Sequence, residues 1–166
     1  MSVATYFILL CVSIVLQLTI IPLFSVQGAT PDIILIFVLA LALQRGRLWA
    51  FPVGLAAGLL FDIFGTGLVG VSSLANSVAV FSAGFLRDEQ FEKRMSVIVG
   101  LLFLSIYLHD IVYFAILSLG LSAGFWNIFV KQAFPNTFYT LVFMVMIHLF
   151  MPNLFWGRNS STLRVL

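Results

Sequence analysis

The few charged residues of this chain lie almost entirely in short gaps between apolar segments that are long enough to cross a lipid bilayer. Of its 166 residues, 62% are hydrophobic and only 8% are Asp, Glu, Lys or Arg, whereas soluble domains average about 25% charged residues. A transmembrane helix needs about 20 mostly apolar residues to cross the hydrocarbon. The pattern therefore predicts an all-α protein that crosses the membrane several times.

The gaps separate six apolar segments, which we predict to be six transmembrane helices in one bundle and one domain over residues 1–166. The segments are Val3–Phe24, Pro31–Gln44, Leu48–Phe64, Leu68–Leu86, Met95–Leu119 and Lys131–Met151. Residues 152–166 then form a short cytoplasmic tail. The second segment is short and could instead be one half of a re-entrant hairpin. A five-crossing chain would place Arg87–Arg94 and the tail on opposite sides of the membrane, so six crossings are favoured.

The basic residues indicate the orientation. With six crossings, seven of the eight Lys and Arg residues lie on one side of the membrane, and only Lys131 lies on the other. The seven are Arg45, Arg47, Arg87, Lys93, Arg94, Arg158 and Arg164. Because short cytoplasmic segments are enriched in Lys and Arg, we expect both termini in the cytoplasm. The net charge of +2 follows from this topology, and no basic cluster indicates nucleic-acid binding.

No enzyme signature is recognisable, so we expect no catalytic residue, cofactor or metal ion. His109 and Asp110 resemble the dipeptide of metal-dependent phosphohydrolases, but the only other histidine is His148. Consecutive helix positions also point about 100° apart. We expect this pair to be hydrogen-bonded inside the bundle. Cys11 is the only cysteine, which excludes an internal disulfide, and we expect it to be buried as a small apolar residue.

Polar residues inside the predicted spans are concentrated in the outer half of the membrane, where they are costly and are candidates for function. They are Asp32, Asp62, Asp110, Gln17, Asn76 and Asn136. Asp32 follows Pro31 and fits a helix N-cap. Asp62 is at a helix C-terminus, where the dipole disfavours an anion. It needs a donor, for which we favour the backbone amides of the Gly65–Gly70 turn over Lys131 or a partner protein.

Small residues recur along one face of the third segment. Gly54, Gly58 and Asp62 are four residues apart and Gly65 follows three later, so they share a helix face. A Gly-x-x-x-Gly pattern lets helix backbones approach closely. This face is predicted either to pack inside the protein or to dock a partner.

Two stretches resemble a known family. They are Pro31-Asp32-Ile33-Ile34-Leu35, and Gly58-Leu59-Leu60-Phe61-Asp62-Ile63-Phe64-Gly65 with the following Gly67-Leu68-Val69-Gly70-Val71-Ser72-Ser73-Leu74. They are similar to the rod shape-determining protein MreD family. The resemblance implies a non-enzymatic scaffold of the elongation machinery in the bacterial inner membrane, controlling rod shape and lateral peptidoglycan synthesis. It implies association with the bitopic protein MreC, and indirectly with the MreB filament, RodA and its partner transpeptidase.

The resemblance also implies a fold similar to the substrate-binding subunits of energy-coupling-factor transporters. A transporter subunit with an outward ligand cavity is therefore the alternative function. Such subunits resemble one another in an Ala-x-x-x-Ala motif on the first span, where this chain has only Ala4. On either reading, the structural or docking candidates are Asp62, Gly54, Gly58, Gly65, Gly70, Asp32, Asn76 and Asp110.

Overall fold

A computed structural model describes residues 3–26, 28–65, 68–88, 95–119 and 129–150. Within these ranges the chain forms six α-helices and no strand. The helices are α1 (Val3–Thr19), α2 (Ile33–Arg45), α3 (Arg47–Phe64), α4 (Val71–Asp88), α5 (Met95–Leu119) and α6 (Phe134–Phe150). The predicted tail, 152–166, lies outside the described residues, as do most of the loop between α5 and α6 and the charged turn after α4.

The helices run alternately up and down the bundle. At one end, the Tyr6 hydroxyl on α1 donates to Gln44 Oε1 on α2 at 2.8 Å. At the other end, Gln17 Oε1 on α1 accepts from the Ile33 amide of α2, also at 2.8 Å. These contacts make α1 and α2 antiparallel over their whole length. The second segment therefore runs through the bundle from one end of α1 to the other.

The two ends of the bundle differ in chemistry. The end that contains Asp32 and Asp62 is called the aspartate end, and the end that contains Arg45 and Arg47 is called the arginine end. Arg45 lies over the Tyr6 ring with its guanidinium carbon 5.3 Å from the ring centre. Arg47 lies 5.5 Å from the centre of the Phe81 ring on α4. Cation–π contacts of this kind hold basic side chains against the apolar helix ends.

Helix α2 is the centre of the bundle, which explains why it can be short. Every residue from Ile34 to Ala42 is buried. Its 13 residues span about 20 Å at about 1.5 Å each, less than the hydrocarbon thickness of about 30 Å. The other helices surround α2, so its length does not have to match the bilayer.

The surface is apolar, as expected of a chain immersed in lipid, and the interior contains several polar side chains beside its apolar core. Three helical stretches are long and apolar enough to cross a membrane (Arg47–Phe64, Val99–Leu119 and Val130–Phe150), and three apolar helices are shorter. Large apolar side chains are exposed on every side, while polar ones are buried. Exposed examples are Phe7, Val15, Trp49, Ile63, Phe64, Leu74, Leu119, Phe138 and Leu149. Buried examples are Ser13, Asp62, Ser73, Asn76, Ser105, His109, Asp110, Thr137 and Thr140. The protein is a multi-pass membrane protein.

Among the segment boundaries that differ from those expected, two lie next to a proline or a glycine. Helix α1 ends at Thr19, and Ile21–Phe24 is a 3₁₀ turn, because Pro22 lacks an amide hydrogen and its ring clashes with the preceding turn. Helix α4 starts at Val71, after Gly70 adopts a φ of +99°. The expectation for Cys11 was wrong, because its side chain is exposed on the apolar surface of α1.

Candidate functional site: a polar cavity at the aspartate end

A polar cavity of about 250 Å³ opens at the aspartate end of the bundle. Five of the six helices contribute to its wall, together with the loop before α2. The lining residues are Gln17, Gly28, Thr30, Asp32, Phe61, Ser72, His109, Asp110, Tyr113, Phe114, Leu117, Gln132, Asn136 and Thr140. Gly28 and Gln132 are exposed at the rim, whereas His109 and Asp110 are buried.

His109 on α5 lies between two carboxylates. Its Nδ1 is 3.1 Å from Asp110 Oδ1, and its Nε2 is 3.9 Å from Asp32 Oδ2. The second oxygen of Asp110 accepts a hydrogen bond from the Thr137 hydroxyl of α6. The expectation that His109 and Asp110 are hydrogen-bonded inside the bundle is therefore confirmed. The cluster connects α2, α5 and α6, and we name Asp32, His109, Asp110 and Thr137 the Asp–His cluster.

Asp32 has two structural roles at the start of α2. Its Oδ1 accepts from the Leu35 amide at 2.8 Å, which is the N-cap that the Pro31-Asp32 sequence predicted. Its own amide donates to the Thr140 hydroxyl of α6 at 3.1 Å. The amide group of Gln17 donates to the Pro31 carbonyl at 3.2 Å. The start of α2 is thus held from both sides, and the Asp32 side chain has a defined position at the cavity wall.

The loop between α1 and α2 is tied to α6. Asn136 Oδ1 accepts from the Thr30 amide at 3.1 Å, and the Tyr139 hydroxyl donates to the Phe24 carbonyl at 2.9 Å. Buried backbone groups need such partners, since leaving one unpaired is costly. These bonds close the cavity on the side of the first loop.

Asp62 is bound by the turn that follows its own helix. Its Oδ2 accepts from the Gly70 amide at 2.8 Å and from the Ser72 amide at 3.1 Å. The turn was the favoured donor, and Gly70 confirms it, while Ser72 adds the first turn of α4. No ion pair joins Asp62 to Lys131, both of which are described. Asp62 does not line the cavity, although its neighbours Phe61 and Ser72 do.

The small-residue face of α3 packs inside the protein, against α4. A Cβ on Gly58 would be 2.4 Å from the Ser73 amide nitrogen, and one on Gly54 would be 3.1 Å from a methyl group of Val80. Asn76 lies on this face of α4, and its Oδ1 has no hydrogen-bond partner among the described residues. Gly65 caps α3 through its amide, which donates to the Phe61 carbonyl at 2.8 Å. These residues assemble α3 and α4 and leave no open docking face there.

Among the described residues, no three His, Cys, Asp or Glu side chains could hold a metal ion together. The polar groups form a wall able to bind a polar or charged group. Sequence reasoning missed Thr137, which is completely buried, and Tyr113, whose ring stacks on His109 with centres 6.1 Å apart. The helical spacing of His109 and Tyr113 was the available signal for the latter.

Comparison with known proteins gives one match. The family model of rod shape-determining protein MreD matches residues 1–156. No curated protein and no solved structure matches the chain. The match covers all six helices and every residue of the cavity wall.

Proposed function

Because the chain belongs to the MreD family, we propose that it is a scaffold of the bacterial elongation machinery in the cytoplasmic membrane. The family is one of non-enzymatic, shape-determining membrane proteins, so the chain has a role in rod shape determination. The finer proposal is that it binds the single transmembrane helix of MreC, and through it the MreB filament, RodA and the transpeptidase partnered with RodA. The observation that carries this proposal is the family match over nearly the whole chain.

An apolar groove on the side of the bundle is the surface that best fits a partner's transmembrane helix. It has a volume of about 560 Å³ and lies between α3, α4 and α5. Its wall is formed by Phe51, Ser77, Val78, Phe81, Ser82, Leu104 and Leu108. In membranes, helices associate through close packing at small residues. Ser77 and Ser82 are small residues of this wall, and their hydroxyl groups donate to backbone carbonyls of α4.

Site-specific photo-crosslinking in cells tests this proposal. A photoreactive side chain at Val78, which is partly exposed in the groove, is expected to crosslink MreC. The matched control is Phe138, an exposed apolar residue on α6 outside the groove. Equal crosslinking at both positions, or none at Val78, would contradict the groove as the binding face. If MreC does not co-purify with the protein at all, the scaffold proposal is contradicted.

The orientation of the bundle is also proposed, with both termini and the arginine end in the cytoplasm. The positive-inside rule supports it. Cysteines introduced at Gln90 and Ser161 should be labelled only in permeabilised cells, whereas those at Gln27 and Ser122 should be labelled in intact cells. All four positions lie outside the described residues. Labelling of Gln90 in intact cells would reverse the proposed orientation.

The cavity favours one second candidate, a substrate-binding subunit of an energy-coupling-factor transporter. Its wall joins polar and aromatic groups, as ligand sites do. Its volume of about 250 Å³ is, however, below the range of about 300–1,000 Å³ typical of small-molecule sites. Co-purification separates the two functions, because a transporter subunit would bring an ATPase pair and a scaffold would bring a bitopic protein.

A further inference from the structure

The cavity at the aspartate end contains polar atoms that the bundle itself leaves without hydrogen bonds. His109 is buried, yet its Nε2 has no hydrogen-bond partner among the described residues, since Asp32 Oδ2 is 3.9 Å away. That separation is too long for a hydrogen bond. The Leu35 amide of the N-cap donates to Oδ1 of Asp32, and Oδ2 is the oxygen near His109. At this separation, a polar group of a ligand could bridge His109 Nε2 and Asp32 Oδ2.

The charges of the wall favour a cation. Two carboxyl groups, those of Asp32 and Asp110, face one imidazole, so acidic groups outnumber basic groups in the cluster. None of the lining residues is Lys or Arg, and Lys131, next to Gln132 in the chain, is exposed and outside the wall. Ionising a buried carboxyl group that has no Lys or Arg beside it is costly. A bound cation would compensate that cost.

The aromatic side chains of the wall favour an organic cation over a metal ion. Phe61, Tyr113 and Phe114 line the same cavity, and aromatic faces attract organic ammonium groups through cation–π interactions. A metal ion is a poorer fit, because no group of three ligating side chains exists in the described part of the chain. The cavity volume of about 250 Å³ suits a headgroup-sized molecule. We propose that this cavity binds a primary organic ammonium group, either of a free small amine or of an aminophospholipid headgroup.

The proposal is independent of MreC binding, and it can be tested on the purified protein alone. Ethanolamine and phosphatidylethanolamine are the probes. Thermal unfolding with ethanolamine, and native mass spectrometry of nanodiscs with phosphatidylethanolamine, report on the two sources. A ligand that binds only the folded protein raises its unfolding temperature, by an amount that increases with the ratio of ligand concentration to Kd. The neutral probe N-acetylethanolamine and the amine-free lipid phosphatidylglycerol are the controls, and neither should bind.

A charge-removing variant locates the site. Asp32→Asn keeps the helix cap, because Asn caps as well as Asp does, so the variant should fold. It should weaken ammonium binding by at least about tenfold, since a charge-assisted contact is lost. Asp62→Asn is the matched control: it removes a buried carboxylate at the same end that does not line the cavity. Binding by this variant should match the wild type.

The outcomes are distinct. Binding of ethanolamine alone identifies a free amine, binding of phosphatidylethanolamine alone identifies a lipid, and binding of both identifies the shared headgroup. Absence of binding by either probe overturns the proposal, as does equal binding of N-acetylethanolamine or an Asp32→Asn protein that binds like the wild type. None of these failures affects the scaffold proposal, whose test is the crosslink to MreC.

Discussion

Adding one methyl group at Gly58 should destabilise the bundle, because the backbone of α4 occupies the space that the methyl group needs. The new Cβ would be 2.4 Å from the Ser73 amide nitrogen and 2.5 Å from the Ser72 carbonyl carbon. Neither atom can move by rotating a side chain. Ordinary contact begins at 3.4 Å, so α3 and α4 would have to separate by about 1 Å. That separation would also strain the hydrogen bonds from Gly70 and Ser72 to Asp62.

The magnitude follows from two opposing effects. Overpacking of a well-packed core costs about 1–3 kcal/mol, occasionally more, and backbone clashes belong at the upper end. Replacing a helical glycine by alanine returns about 1 kcal/mol through helix propensity. For Gly58→Ala we therefore expect a net loss of about 2 kcal/mol of stability, which corresponds to a decrease in Tm of about 4–8 °C. Gly58→Leu, with a larger side chain, should fail to fold or lose more.

Thermal unfolding in detergent, followed by size-exclusion chromatography, measures this effect. Gly100→Ala is the matched control, since nothing lies within 4 Å of a Cβ at that position of α5. Gly54→Ala should be intermediate, because its Cβ meets a Val80 methyl group that can shift. If Gly58→Ala is as stable as Gly100→Ala, then α3 and α4 are not in backbone contact and the packing argument is wrong.

Substitutions at three further residues test the polar side chains of the aspartate end. Asp62→Leu leaves two backbone donors of the following turn without an acceptor, whereas Asp62→Asn keeps an oxygen for them. In rod-shaped cells depleted of the native protein, Asp62→Asn should largely restore cell width and Asp62→Leu should not. Restoration of cell width by Asp62→Leu would show that Asp62 is not required. Thr137→Val removes the donor to buried Asp110 at nearly constant volume and should cost about 1–3 kcal/mol in thermal unfolding. Thr137→Ser keeps the hydroxyl group and should recover most of that loss. A Thr137→Val protein as stable as the wild type would show that this hydrogen bond does not stabilise the bundle. Asp32→Ala removes the cap of α2 and should cost about 0.5–2 kcal/mol, with Asp32→Asn close to wild type by the same measurement.

Local features of this protein were predictable because they depend on a few neighbouring residues. The number of helices follows from the length of the apolar segments and the charged gaps between them. The cap on α2 follows from Pro31-Asp32, since the capped amide of Leu35 is only three residues away. The bond from Gly70 to Asp62 spans eight residues of one turn, so it too could be reasoned from the sequence.

The orientation of each helix about its own axis was decided only by the tertiary structure. In a soluble helix an apolar stripe marks the buried face, but here lipid and interior are both apolar, and side chains such as Phe7 and Leu35 look alike in the sequence. Phe7 is 65% exposed and Leu35 is completely buried. For the same reason Cys11 was assigned to the interior although it lies on the surface. Polar residues were the only reliable markers, because only they are costly to expose to lipid.

The Asp–His cluster could likewise not be predicted from the sequence. It joins Asp32 on α2 and Asp110 and His109 on α5 with Thr137 on α6, and the hydrogen bond from Thr137 to Asp110 connects positions 27 residues apart. The sequence predicts that Asp32 and Asp110 lie in the same half of the membrane, because alternating spans set their depth. Which polar groups touch depends on how the other helices pack with α2. That packing depends on close backbone contacts such as Gly58 against Ser73, and the Gly-x-x-x-Gly pattern does not specify which helix lies opposite.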